Sequence, residues 1–277
     1  MEEIWLGKDG EKFHALLFRN GSEACIVMAH GFGAVKDALL PYADVFKEKF
    51  DVLLFDYRHF GKSDGEPRQL ISIKKQLEDW ERAVKYAKER YRKVALWGSS
   101  FSGGHVLVTA SKLDVDAVVS QVPFVDGMAC VKAAGMKDST LLTLAAFVDL
   151  LASLFGRYFN LPIVSPPGKL AFMNTPDAMK YLEMLPEGVE WENSTPARVA
   201  LSLPRYKPIR FVDKIKCPVM YVIAENDLIT PAYAAHKAAK MTKKAEVFSL
   251  DCGHFDVYLD YFDKCTKAEM EFLERNL

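Results

Sequence analysis

Ser100 lies in the stretch Trp97-Gly98-Ser99-Ser100-Phe101-Ser102-Gly103-Gly104, a serine among small residues that follows an apolar run and precedes a helix-like segment. The pattern is that of a nucleophile elbow, a sharp strand-to-helix turn that strains its central residue and holds the side chain clear of the backbone. The positions two residues to either side must be small, because a larger side chain there would strike the turn. The usual form is Gly-x-Ser-x-Gly; Gly98 fills the first of these positions and Ser102 stands at the last. Centring the turn on Ser99 would put Trp97 at a crowded position, and centring it on Ser102 would move it away from Trp97. Ser100 is the expected nucleophile. By itself the octapeptide also fits a plain serine-rich turn at a strand end; the residues below separate the two.

A serine hydroxyl attacks a carbonyl only when a base takes its proton, and the base serves only when a third group fixes its tautomer. Elbows of this kind take those partners in the chain order serine, acid, histidine. Of six histidines, His236 and His254 lie well beyond the elbow, in the C-terminal part. His254 follows the alternation Val247, Phe248, Leu250, where a last strand would end, and is the expected base. His236 sits among alanines and lysines and reads as a surface residue. The acid is expected after the run Pro218-Val219-Met220-Tyr221-Val222-Ile223, which reads as a strand buried on both faces. The next loop is Ala224-Glu225-Asn226-Asp227-Leu228-Ile229-Thr230-Pro231, with Pro231 suited to the first turn of a helix. Asp227 is the expected acid. Glu225 still belongs to the strand end, and Asp251 is too near His254 in sequence to approach its ring easily.

The tetrahedral intermediate of such an attack carries a negative oxygen that needs donors. His30-Gly31-Phe32-Gly33 follows the apolar run Cys25-Ile26-Val27-Met28-Ala29, and its glycines let backbone N–H groups turn inward. The N–H of Phe32 and that of Phe101, next after the nucleophile, are the expected oxyanion donors, each typically worth ~3 kcal/mol of barrier. His30 is expected to order its own loop.

The elements that must carry these residues can be read from pattern. Val52 to Phe55, Val94 to Trp97, Val115 to Val119 and Val219 to Ile223 read as buried strands separated by helical segments. Such alternation implies an α/β fold with a mainly parallel central sheet flanked by helices on both faces. Ser72 can cap a helix whose Ile73, Leu77, Trp80, Val84 and Tyr91 recur at three to four residues as one core-facing stripe. Ile4 to Leu6 and Phe13 to Phe18 flank the turn signal Asp9-Gly10, predicting an antiparallel N-terminal hairpin at the sheet edge.

In this order His30-Gly31-Phe32-Gly33, the loop from Asp56 to Gly65, the elbow, the Asp227 loop and Gly253-His254 resemble the α/β-hydrolase family along most of the chain. Pro123-Phe124, Trp191-Glu192-Asn193 and Tyr206-Lys207-Pro208 are similar to a capped, esterase-like branch that includes dienelactone-hydrolase-like and polyketide-pathway hydrolases. His59, where the family loop often has glycine, and Ser102 depart from the pattern. The resemblance implies a serine hydrolase acting on small-molecule carboxylic esters through an acyl-enzyme, with no metal or organic cofactor. Thioester or carbon–carbon cleavage by the same triad is the alternative, and a non-catalytic binding protein on this scaffold is an alternative of another class. A serine nucleophile disfavours dehalogenase and epoxide hydrolase chemistry, which need a carboxylate that becomes alkylated.

The 277 residues suffice for one large domain with an insertion: a core of residues 1–124 and 211–277, and a helical cap of residues 125–210. Residues 141–155 are almost all apolar, yet too few to span a membrane and interrupted by Asp149. Leu144, Phe147, Val148 and Leu151, with Leu141 and Phe155, are expected to roof an apolar acyl pocket. Trp191, Asn193 and Arg198 either line that pocket or brace the cap, with packing the better reading for Trp191. A formal charge of −1 without a basic run argues against nucleic acid as partner. Five scattered cysteines, an odd number without zinc-like spacing, suit a reducing compartment. With no apolar signal core after Met1-Glu2-Glu3, the cytoplasm is the expected location.

Overall fold

A computed structural model describes residues 1–277. Eight strands make one sheet: β1 (Glu2–Leu6), β2 (Phe13–Phe18), β3 (Ala24–Ala29), β4 (Asp51–Phe55), β5 (Lys93–Ser99), β6 (Ala117–Gln121), β9 (Val219–Ala224) and β10 (Ala245–Leu250), in the spatial order β1-β2-β4-β3-β5-β6-β9-β10. β7 (Asn160–Leu161) and β8 (Thr195–Pro196) form a separate short ribbon. The pair β1 and β2 is the predicted antiparallel hairpin at the edge, β2 runs antiparallel to β4, and the remaining neighbours are parallel.

The strands from β2 to β6 and β9 are buried almost throughout, so their side chains alternate between two cores. Val27, Leu53, Leu96 and Tyr221 face the larger core; Ile26, Val52, Ala95 and Met220 face the other. Helices α2 (Ile73–Lys88), α3 (Phe101–Ala110) and α6 (Ala232–Met241) cover the first face, while α1 (Leu40–Phe46) and α7 (Phe262–Asn276) cover the second. Ser72 caps α2 by accepting from the Lys75 N–H at 3.4 Å, and Trp80 and Val84 enter the core as predicted. Tyr91 lies past the helix end. The strand expected from Val115 begins at Ala117 instead, with Asp116 just before it bonding Val94 at the start of β5 through both its backbone N–H and its carboxylate.

Between β6 and β9 the chain leaves the sheet and forms α4 (Gly127–Ala134), α5 (Met136–Ser153), the β7–β8 ribbon and a series of 3-10 turns. Only the first third of this insertion is α-helical, since Pro and Gly recur after Phe155 and break longer helices. Leu142, Ala145 and Ala146 of α5 pack on Leu161, Ala197 and Ala200 as a small core of their own. Val125, Ala129, Val199, Tyr206 and Ile209 belong to the larger core, so both ends of the insertion are anchored in the sheet layer. No helix is long and apolar enough to cross a membrane.

Candidate active site

The chain turns from β5 into α3 at Ser100, which takes φ 57° and ψ −115°, a conformation costly for a residue with a side chain. Crowding around it explains the small neighbours. A Cβ at Gly98 would lie 2.4 Å from the Ser102 carbonyl oxygen, and one at Gly31 would lie 3.1 Å from Ser100 Cβ. The Ser99 hydroxyl is taken up by Tyr258 and Gln121 on the far side of the strand. Ser102 is fully buried and donates to the His30 carbonyl at 2.6 Å. Of the three hydroxyls, Ser100 is the one that faces a histidine.

His254 Nε2 lies 3.0 Å from Ser100 Oγ, and His254 Nδ1 lies 2.6 Å from Asp227 Oδ2. With the Nδ1 proton donated to Asp227, the Nε2 lone pair is directed at the Ser100 hydroxyl, the tautomer a general base requires. Asp227 is held by its own turn: Oδ1 accepts the N–H groups of Ile229 and Thr230 at 2.8 and 2.7 Å. Oδ2 also faces the Thr230 hydroxyl at 2.8 Å. The His254 loop is held in turn by Asp256, which accepts the Gly253 N–H and pairs with Lys180 of the insertion. Competing residues go elsewhere. Glu225 pairs with His236 at the surface, and Asp251 accepts from Asn226. Pro231 ends the turn one residue before α6 rather than inside its first turn.

Phe101 is the first residue of α3, where an N–H has no acceptor within the helix. The Phe32 N–H has no partner within the chain, and both residues border the cavity beside Ser100. His30 bonds the Gly31 carbonyl at 3.0 Å, and burial lowers its pKa to about 4, so it stays neutral and orders its loop. No group of three or more His, Cys, Asp or Glu side chains is arranged to hold a metal ion.

A cavity of about 120 Å³ opens beside Ser100, lined mostly by apolar side chains. Phe32, Phe101 and Phe124 form its floor; Cys130, Leu142, Phe172 and Leu203 come from the insertion, and Ile229 and Thr230 from the acid loop. Burial raises the Cys130 thiol far above its ordinary range, leaving it protonated in the cavity wall.

The roof is formed by a different face of α5 from the one expected. Leu144, Phe147, Val148 and Leu151 are 57, 53, 51 and 62 % exposed and do not line this cavity; Ser139, Leu142 and Thr143 do. Because α5 is apolar nearly all round, its pattern does not mark an inner face. Asp149 does so physically: fully buried, it accepts from the Phe159 N–H and from the backbone and guanidinium of Arg198 at 2.6–2.9 Å. Trp191 donates to the Gly33 carbonyl at 2.7 Å, and Asn193 bonds both backbone groups of Val164, so these two and Arg198 brace the insertion. The sequence pattern did not single out Thr230, although Asp-x-x-Thr before a proline is a turn signal. Nor did it mark Phe172 and Leu203, which lie in segments without periodicity.

This elbow, the three side chains aligned behind it and the doubly covered parallel sheet define an α/β hydrolase. The chain belongs to the alpha/beta hydrolase family, whose match runs over residues 26–267. It is 37 % identical over 286 residues to the quorum-quenching protein AidA of Acinetobacter baumannii, covering 99 % of this chain and 94 % of that protein. It is 37 % identical over 134 residues to the thiohydrolase aneE of Aspergillus aculeatus, covering 45 % of this chain and 42 % of that protein. The crystal structure of the alpha/beta hydrolase GrgF from Penicillium sp. superposes with a TM-score of 0.82 at 26 % identity, covering 99 % of this chain and 98 % of that one.

Proposed function

We propose that this hydrolase is a serine esterase cleaving carboxylic esters with an apolar acyl or alkyl part. The observation that carries the reading is the unbroken relay from Asp227 through His254 to Ser100 at the wall of an apolar cavity. His254 Nε2 takes the Ser100 proton as Oγ attacks the ester carbonyl, and the Phe32 and Phe101 N–H groups hold the oxyanion. As the intermediate collapses, the C–O bond to the alcohol breaks and the imidazolium returns its proton to that oxygen. His254 then deprotonates a water whose oxygen attacks the acyl carbon; the bond from that carbon to Ser100 Oγ breaks, the imidazolium returns its proton to Oγ, and the acid is released. Asp227 keeps the tautomer and stabilises the imidazolium throughout.

Residues 125–210 serve as the cap that shapes the acyl pocket, with Leu142 and Thr143 taking the role expected of Leu144, Phe147, Val148 and Leu151. The five free cysteines support a reducing compartment, the cytoplasm. A thioester substrate is the second reading, favoured by the likeness to a protein named a thiohydrolase. Hydrolysis of p-nitrophenyl esters of increasing acyl length, by the wild type beside folded Ser100→Ala, tests the proposal. Turnover is expected to peak at short or medium chains and to fall at least ~10³-fold in the variant. Covalent labelling of Ser100 by a fluorophosphonate without ester turnover would move the reading to thioesters. Absence of labelling as well would mean the scaffold only binds.

A further inference from the structure

Leu144, Phe147, Val148 and Leu151 contribute nothing to the cavity, yet they are not isolated. With Leu141, Leu154 and Phe155 they form one stripe along α5 and the turn after it, recurring at three and four residues. Exposure along the stripe runs from 39 % at Leu141 to 81 % at Phe155. Between Thr140 and Gly156 the sole charged side chain is Asp149, which is buried against Arg198. The seven side chains present open surface on the order of 750 Å², more than the ~300–600 Å² patch of a typical monomer and close to the ~800 Å² each partner gives a standard interface.

We propose that this stripe is a self-association surface through which two copies of the chain pair about a two-fold axis, α5 against α5. The sequence of the stripe is matched to itself. One antiparallel register sets Leu141 against Leu154, Leu144 against Leu151 and Phe147 against Val148 of the second copy, so that apolar meets apolar along the whole seam. Antiparallel pairing also opposes the two helix dipoles. An isologous contact of this kind closes at two copies. The formal charge of −1 gives no general attraction to anionic lipid, which favours a second copy over a membrane surface as the occupant.

Sedimentation velocity of the full chain at concentrations up to about 100 µM tests this, since a dimer of modest interface is populated by mass action in that range. The wild type is expected to sediment as a dimer. Leu144→Glu and Leu151→Glu are each expected to halve the mass, to the 31.2 kDa of one chain, with far-ultraviolet circular dichroism and melting retained because both sites are exposed. A monomeric wild type overturns the proposal, as does a dimer that both variants leave intact. A monomeric wild type that floats with phosphatidylcholine–phosphatidylserine vesicles also overturns it and assigns the stripe to a lipid surface. None of these readouts depends on turnover at Ser100.

Discussion

Ser102 stands where a glycine is usual in the elbow, and its hydroxyl joins parts of the site that are distant in sequence. It donates to the carbonyl of His30, the residue that opens the Gly31-Phe32 loop, and accepts a hydrogen bond from the Tyr57 hydroxyl. Burial keeps the Tyr57 phenol protonated, and Trp80 Nε1 donates to it at 2.7 Å. Ser102 therefore ties the loop that carries the Phe32 N–H to the helix that carries the Phe101 N–H, and in the proposed reaction it is a positioning residue for both. Ser102→Gly restores the usual motif while cutting this tie. It is expected to lower stability by about 1–2 kcal/mol, since a buried acceptor and a buried donor lose their partner. It is also expected to lower kcat about tenfold with KM nearly unchanged, because oxyanion contacts form mainly in the transition state. Thermal melts and steady-state kinetics on one ester check both, and an unchanged kcat would reduce Ser102 to a packing role.

Strands, elbow and loops were legible in the sequence because each is specified locally. A run such as Val219 to Ala224 has the length and β-branching of a buried strand, and the Asp227 turn uses side-chain bonds within four residues. The orientation of α5 was not legible, because an apolar surface on every side leaves the inner face to tertiary contacts. The residue that sets it is the one charged group in the run: Asp149, read as a charge that keeps the segment out of a membrane, anchors it to Arg198 and to the turn at Phe159. Asp149→Ala leaves Arg198 without its carboxylate and the Phe159 N–H without an acceptor. The expected loss is about 3 kcal/mol, given that the pair is largely withdrawn from water. Since this bond fixes the face carrying Leu142 and Thr143, KM for longer acyl chains should rise several-fold with fluorophosphonate labelling of Ser100 retained. Limited proteolysis is expected to cut first near residues 154–159. A variant with the wild-type melting curve and cleavage pattern would remove Asp149 from this role.

The response of the whole molecule to pH is set in part on the face opposite the cavity, where α7 packs on the sheet. Glu269 is fully buried there; one carboxylate oxygen accepts from Trp97 Nε1 at 3.0 Å and the other has no partner. Its neighbours Tyr42, Tyr258 and Cys265 supply no positive charge, and burial raises its pKa from 4.5 to about 8. Between those two values the folded chain holds a proton that the unfolded chain has released. This contribution to stability is fully present below about pH 4.5, declines as pH rises toward 8, and is absent above that. Glu269→Gln keeps an acceptor for Trp97 and the shape of the side chain but carries no titrating group. The variant should match the wild type near pH 5 and exceed it at pH 8.5 by on the order of 4 kcal/mol, since each tenfold difference in proton affinity between the folded and unfolded chains is worth roughly 1.4 kcal/mol. Denaturant unfolding at the two pH values measures the difference directly, and parallel losses in both proteins would show that Glu269 does not carry the alkaline sensitivity. Because Glu269 accepts from Trp97 on β5, just ahead of the elbow, its titration acts on the strand that leads into Ser100, and loss of activity at high pH should be shallower in Glu269→Gln wherever it reflects loosening of that strand.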